Sequence, residues 1–450
     1  MKAINPYTGE LIKEYKEHSF EDALQAIQHA RKAQASWSHL EISARAAYLR
    51  KVAETLRRNK QRYAELMTCE MGKIIRESQA EVEKCALCCD FYADHAEDFL
   101  APEIVKTETH KSQILFQPLG IVFAIMPWNF PFWQVFRCAA PALMAGNVVI
   151  VKHASNVPGC ALAIEESFRE AGLPEGAFRT LLISSDIAMK LVEHVDAVSL
   201  TGSNKAGESI GELAGKHIKP CVLELGGSDP FIVLENADVE KAAQTAARAR
   251  FLNCGQSCIA AKRFIVHEKV AKVFEDEFVR QVKRFKIGNP MDPSTDIAPI
   301  ARQEFIPGLK TQLDDAKQKG AKVLFEATVP SKGFFFPPAI LSNVNKGMKV
   351  LKEEIFGPIA PIITVKSDEE AIQMANDSIY GLAASLWCRD LSYAEKLAAR
   401  IQAGTVAIND FVKSDPRMPF GGIKKSGMGR ELSRYGMLEF VNIKTINMQP

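Results

Sequence analysis

Cys258 closes the run Phe251–Cys258, FLNCGQSC, and its thiol is the strongest nucleophile candidate in the chain. Asn253, Gly255 and Gln256 are small or polar and suit a tight, exposed turn before it. A thiolate needs such a place, partly open and with backbone N–H groups free to face a developing negative charge. Taken alone, a cysteine beside a loop is more often a buried packing residue. Two other groups change that reading. Glu224, thirty-four residues upstream, ends an apolar run and precedes Gly226 and Gly227, which let the backbone turn sharply. A carboxylate there can take a proton from water, and burial raises its pKa toward that of a useful base. Asn129 stands between Pro127 and Pro131 and offers a side-chain NH₂ to an oxyanion. Together they can add sulfur to a carbonyl, hold the resulting alkoxide, and later hydrolyse an acyl-enzyme.

These groups require strand ends and tight loops to hold them. From Ile121 the sequence supplies short apolar strands at Ile121–Met126, Asn147–Lys152, Phe178–Leu182, Ala197–Leu200 and Cys221–Leu225. Helical segments Pro131–Ala145, Pro158–Ala171, Ser185–His194 and Ala206–Leu213 alternate with them. A second series follows, with strands near Pro230–Val233, Arg263–Val266, Ala321–Leu324, Ile359–Val365, Ala384–Trp387 and Thr405–Ile408. Such alternation predicts βαβ units and parallel sheets in two α/β blocks, the nucleophile lying in the second. Residues 20–100 read as helix, in Phe20–Trp37, Ala44–Cys69 and Glu81–Tyr92.

Composition narrows the class. A chain of 450 residues calls for two or three domains. With 47% hydrophobic and 24% charged residues it reads as a soluble globular enzyme. A net charge of +2 gives no reason to expect nucleic acid or an acidic membrane as partner. The ten cysteines form no paired framework, so the expectation is a reducing cytoplasm. Cys85, Cys88 and Cys89 imitate a metal motif, but no second ligand pair follows and no metal is expected. The N-terminal run MKAINPYTGE has neither signal-peptide nor transit-peptide character, and the apolar runs are too short to span a bilayer.

Five motifs in fixed order carry a family resemblance: Pro127–Pro131 (PWNFP), Glu224–Gly227 (ELGG), FLNCGQSC, Glu353–Pro358 (EEIFGP) and Pro419–Gly422 (PFGG). The set resembles the NAD(P)-dependent aldehyde dehydrogenase superfamily over nearly the whole chain. That resemblance implies a Rossmann-like cofactor domain from residues 1–103 and 119–226, rejoined by 426–437. It implies an α/β catalytic domain from 227–425 and a small β element from 104–118 and 438–450, whose strands cross between subunits of a homodimer or homotetramer. It further implies Cys258 as nucleophile, Glu224 as base and Asn129 as oxyanion donor. The coenzyme contacts carried over are Trp128, Lys152, Gly202, Ser203, Gly207, Leu225, Glu354 and Phe356. Gly202 and Ser203 also open a helix, where backbone N–H groups suit a pyrophosphate.

One departure touches the coenzyme. The family commonly has Lys-Pro-x-Glu after the second strand, and this chain has Lys152-His153-Ala154-Ser155. Ser155 removes the charge that would repel a 2′-phosphate, so NAD and NADP both stay open. On the substrate side, a helix beginning at Pro131 would place Phe130, Trp133, Gln134 and Arg137 on one face. Arg137 suits an aldehyde with a distant carboxylate and resembles the succinate-semialdehyde dehydrogenase branch, as do Ser414 and Arg417. Some members of that branch carry a second arginine where this chain has Leu252. Arg137 could instead pair with a buried carboxylate of its own domain. A cysteine hydrolase or acyltransferase would need a histidine partner near Cys258, which no motif supplies; Glu224 argues against a CoA-acylating enzyme.

Overall fold

The apolar runs become the centres of two sheets in the computed structural model, which describes residues 1–450. The first has six strands in the order Gly427–Met428, Cys221–Glu224, Ala197–Thr201, Ile121–Met126, Val148–His153 and Phe178–Leu181. All neighbours are parallel except Gly427–Met428, a late return of the chain that runs antiparallel beside Glu224. Connection order reverses between Ile121–Met126 and Ala197–Thr201, and ligands of doubly wound sheets sit beyond the strand ends at such a reversal. The loops leaving these two strands carry Trp128 with Asn129, and Gly202 with Ser203.

The second sheet has seven strands, ordered Lys322–Glu326, Ala339–Ser342, Ile359–Val365, Ala261–His267, Asp229–Val233, Ala383–Trp387 and Thr405–Ile408. Its edge strand Lys322–Glu326 is antiparallel to Ala339–Ser342, and the other pairs are parallel. The sequence reading did not anticipate Ala339–Ser342, a four-residue strand behind an aromatic and proline-rich loop. A separate three-stranded sheet pairs Val441–Met448 with Lys111–Pro118 along eight positions and Lys111–Pro118 with Glu103–Val105.

The helical region contains one more break than periodicity suggests. Residues 44–69 form two helices, Ile42–Arg58 and Lys60–Met71, interrupted at Asn59. The next helix, Ile75–Leu100, has 26 residues and runs about 39 Å at ~1.5 Å per residue. It buries Cys85, Cys88 and Cys89 as free thiols. The helix expected from Pro131 begins at Trp133, with Pro131 and Phe132 in a turn. Its entry is fixed from outside: Glu81 accepts from the N–H groups of Phe132 and Trp133 at 2.9 and 3.0 Å. No helix is long and apolar enough to cross a membrane.

Candidate active site

The turn before Cys258 is tight but, contrary to expectation, buried: Asn253, Cys254, Gln256 and Ser257 are at most 5% exposed. Asn253, Cys254 and Gly255 take consecutive left-handed conformations with φ of 51°, 54° and 74°. Glycine adopts this freely and asparagine tolerates it, while Cys254 is strained by about 1–2 kcal/mol. Hydrogen bonds hold the turn. Asn253 Nδ2 donates to Asn129 O at 2.8 Å, Gln256 Nε2 donates to Asn253 O at 3.1 Å, and Asn253 N donates to Glu77 at 3.0 Å. Glu77 is a carboxyl that sequence reasoning passed over, and burial pushes it up to about 7.

The rigid turn presents Cys258, half-buried, where two cavities meet. Cys258 and Gln134 line both of them. Burial pushes the thiol up to about 11, with Glu224 and Glu354 adding to the shift and Arg137 and Lys262 opposing it. Lys262, four residues on and also missed in the sequence, donates to Cys258 O at 2.6 Å and to Glu354 at 2.9 Å. Asn129 Nδ2 donates one N–H to Gln256 O at 3.1 Å and keeps its second free. The Cys258 N–H has no acceptor within the chain. Two N–H donors, on the Asn129 amide and the Cys258 backbone, are therefore unspent, and both residues line the smaller cavity.

Glu224 lies at the end of Cys221–Glu224, opposite Thr201 and Gly427. Its carboxyl is 2% exposed, both oxygens lack a hydrogen-bond donor, and it lines neither cavity. Burial raises its pKa well above the usual range, Arg137 works against that, and Glu431 adds to it. Gly421 of the PFGG run makes room for it, since a Cβ there would sit 2.6 Å from Glu224 Oε1.

The smaller cavity, about 410 Å³, is lined by Trp128, Gly202, Ser203, Leu225, Glu354 and Phe356 among others. Ser203 caps the helix Asn204–Lys216 by accepting from Ala206 N at 3.3 Å. Gly207 lies behind this wall, and a Cβ there would collide with Leu225. Glu354 accepts from Gly227 N at 3.1 Å, and a Cβ at Gly226 would strike its carboxylate. Trp128 meets Phe356 edge-on at 5.7 Å. Lys152 and Ser155 are placed one strand further out, beyond this lining; burial lowers the Lys152 pKa, and Ser155 is exposed. His153, at the motif's proline position, accepts from Ala154 N with Nδ1 and donates from Nε2 to Pro131 O, both at 2.8 Å. Burial lowers its pKa to about 4, so it is neutral and steadies the Asn129 loop.

The larger cavity, about 570 Å³, brings together Phe130, Trp133, Gln134, Arg137 and Ser414, all five expected from sequence. Two expectations need correction. Arg417 is absent from the lining: its side chain is 76% exposed and binds Asp415 on its own loop. Arg137 reaches the wall but is already engaged. Its Nε forms an ion pair with buried Glu431, its Nη2 donates to Thr201 Oγ1 at 3.3 Å, and Phe420 stacks on the guanidinium at 4.6 Å. The buried carboxylate partner weighed in the sequence is thus the one found, supplied by a residue far along the chain. Glu77, Glu81 and Lys84 also line this cavity, from one face of Ile75–Leu100. Their i, i+4, i+7 spacing puts them on one face, but Glu77 precedes the segment Glu81–Tyr92 that periodicity marks as helix. No histidine lines either cavity, which leaves Cys258 without the partner a cysteine hydrolase needs.

Comparison with known proteins agrees with this geometry. The model of the aldehyde dehydrogenase family matches residues 1–446. The chain is 49% identical over 446 residues to a probable succinate-semialdehyde dehydrogenase [NADP(+)] of Synechocystis sp., covering 98% of both. It is 42% identical over 447 residues to succinate semialdehyde dehydrogenase [NAD(P)+] Sad of Escherichia coli, covering 99% of this chain and 97% of that one. Succinic semialdehyde dehydrogenase from Streptococcus pyogenes, solved with NADP+, superposes with a TM-score of 0.97 at 38% identity over 100% of both chains. A full-length family match and relatives of this identity accompany a thiol set between two cavities. The chain belongs to the aldehyde dehydrogenase family.

Proposed function

We propose that the protein oxidises succinate semialdehyde to succinate through a covalent intermediate on Cys258, with NADP or NAD as hydride acceptor. The observation that carries this reading is the position of Cys258 on the shared wall of two cavities, with unspent N–H donors on Asn129 of the smaller cavity and on its own backbone. The smaller cavity fits a dinucleotide by its own make-up. Gly202 and Ser203 begin a helix, Gly226 lets the chain pass close to the Glu354 carboxylate, and aromatic Trp128 and Phe356 line the wall. Glu354 would hold the nicotinamide ribose. Lys152 and Ser155 would meet the adenosine ribose beyond the cavity, where an uncharged Ser155 admits a 2′-phosphate. Bound there, the coenzyme supplies the acceptor for the hydride leaving the substrate carbon and a positive charge that favours the thiolate.

The chain's residues do the rest. The Cys258 thiol gives its proton to solvent, and the Sγ thiolate bonds to the carbonyl carbon as the C=O π pair moves onto oxygen to form an alkoxide. Asn129 Nδ2 and the Cys258 N–H stabilise that oxygen. Loss of hydride leaves a thioester. Glu224 turns from its buried position to take the proton of an attacking water, the C–S bond breaks, and acid and thiol are released. Succinate semialdehyde is favoured because the relatives above are named for it and because the larger cavity carries basic and hydroxyl groups. A homodimer or homotetramer is part of this reading, since Val441–Met448 is an edge strand with Ile443 60% exposed. The test is absorbance at 340 nm with each coenzyme, succinate semialdehyde and butanal. The expected result is reduced coenzyme formed in step with succinate, with butanal much the slower. No absorbance change with either coenzyme overturns the reading.

A further inference from the structure

The cations around the larger cavity are unequal. Arg137 is paired with Glu431, Arg76 with Asp296 and Lys413 with Asp410, while Arg248 is exposed and lies over Phe411 at the rim. Lys84 has no carboxylate partner. Its Nζ donates to Ser414 Oγ at 2.7 Å and sits 4.1 Å over the Trp133 ring. Its neighbours on the helix face are spent elsewhere. Glu81 pairs with Lys73 and accepts from two backbone N–H groups, and Glu77 accepts from Asn253 N. Part-buried Lys84 feels the Glu81 and Asp415 carboxylates but forms an ion pair with neither, so an anion arriving at the cavity wall meets a charge that is still unpaired.

Ser414 completes the arrangement. Its oxygen accepts from Lys84 and also from Trp133 Nε1 at 3.1 Å. A hydroxyl has two lone pairs and one proton, so with both lone pairs occupied its remaining capacity is donation. No protein acceptor receives that proton. Lys84 keeps N–H bonds beyond the one it gives Ser414. An ammonium and a hydroxyl with donors to spare, on the wall that also holds Cys258, form a receptor for a carboxylate.

We propose that Lys84, with Ser414, binds the carboxylate at the far end of the substrate, in place of the engaged Arg137. The inference rests on the semialdehyde reading and adds the residue that selects for it.

The experiment compares kcat/KM for succinate semialdehyde with kcat/KM for butanal, in the wild type and in Lys84→Met and Lys84→Arg. The expected result is a ratio that falls at least tenfold in Lys84→Met and stays within a fewfold of wild type in Lys84→Arg. A high wild-type ratio that survives in Lys84→Met overturns this inference alone. A wild-type ratio near one defeats the semialdehyde reading and this inference with it. Equal loss of both substrates in Lys84→Met, with the ratio intact, also overturns it, because Lys84 would then be supporting structure. Should Lys84→Met fail to fold by thermal melt, Lys84→Gln is read by the same criteria.

Discussion

The two cavities that meet at Cys258 are built from different materials. The smaller draws much of its wall from backbone: strand ends, a helix start, and the glycines Gly202, Gly226 and Gly308. Most of its side chains come from short motifs beside strands, and Glu304, Phe305, Leu309 and Gln312 add a helical wall that no motif marks. The larger is made of side chains drawn from the whole length of the chain: Lys84 from a long helix, Arg137 from another, Ser414 from a late loop. A wall of backbone depends little on which residue occupies a given position. A wall of side chains can be retuned one residue at a time. Coenzyme binding should therefore resist substitutions that change substrate choice, and the thiol between the two should answer to both.

The largest effect should come at the shared residue. Cys258→Ala is expected to lower turnover by several orders of magnitude, since no covalent route remains. Coenzyme binding, read by fluorescence, should persist because the smaller cavity keeps its backbone. Retention of a tenth of wild-type turnover would defeat the assignment. Glu224→Gln should cost less, on the order of a hundredfold in steady-state rate, the lower part of the range for a general base. A burst of reduced coenzyme followed by a slow phase is expected, because acylation does not need this carboxyl. Loss of the burst would place Glu224 earlier in the reaction.

Arg137 sharpens the contrast on the substrate side. Arg137→Leu would strand the Glu431 carboxylate, 3% exposed, near Glu224, which is buried without a hydrogen-bond donor. Breaking a buried pair from one side costs about 3–5 kcal/mol. The expected outcome is a lower Tm and lower kcat/KM for succinate semialdehyde and butanal alike. Selective loss of the semialdehyde, with Tm unmoved, would return carboxylate recognition to Arg137.

How much of this was legible follows the same division. Strands Ile121–Met126, Ile359–Val365 and Thr405–Ile408 have the limits that their apolar runs suggest. Part of the smaller cavity's lining was legible, because Trp128, Gly202, Leu225, Glu354 and Phe356 each sit within a local motif, while Glu304, Phe305, Gly308, Leu309 and Gln312 reach it from a helical segment without one. Three features were not legible. Asn59 breaks a helix without glycine or proline, and only its backbone angles show the break. Ala339–Ser342 is too short to carry a period. The partners of Arg137 and Lys84, namely Glu431 and Ser414, lie 294 and 330 residues away, and pairing across such a span is decided by tertiary packing.

The smallest effect separates the two cavities by pH. Burial, with Arg137 opposing the charge as well, lowers the Lys84 ammonium to about 8, while Glu81, Cys85 and Cys88 favour its charged form. The charged form is therefore present below that pH and lost above it. Binding of a carboxylate should weaken as pH rises through about 7 to 9, because kcat/KM reports groups of the free enzyme. Cys258 titrates higher, near 11, and its ionisation acts on every aldehyde, so it cancels in a ratio of two substrates. The ratio of kcat/KM for succinate semialdehyde to that for butanal is expected to fall severalfold between about pH 7 and 9. In Lys84→Arg the fall should shrink to what Glu77 contributes, since a guanidinium stays charged throughout while Glu77, on the same wall and pushed up to about 7, gains its charge early in this window; Asp415, which also faces Lys84, is held below the usual range and stays charged. Coenzyme affinity should show no matching step, because Lys84 does not line the smaller cavity. A flat ratio in the wild type would mean that the group holding the carboxylate does not titrate in this window, and Arg137 would then be the better candidate.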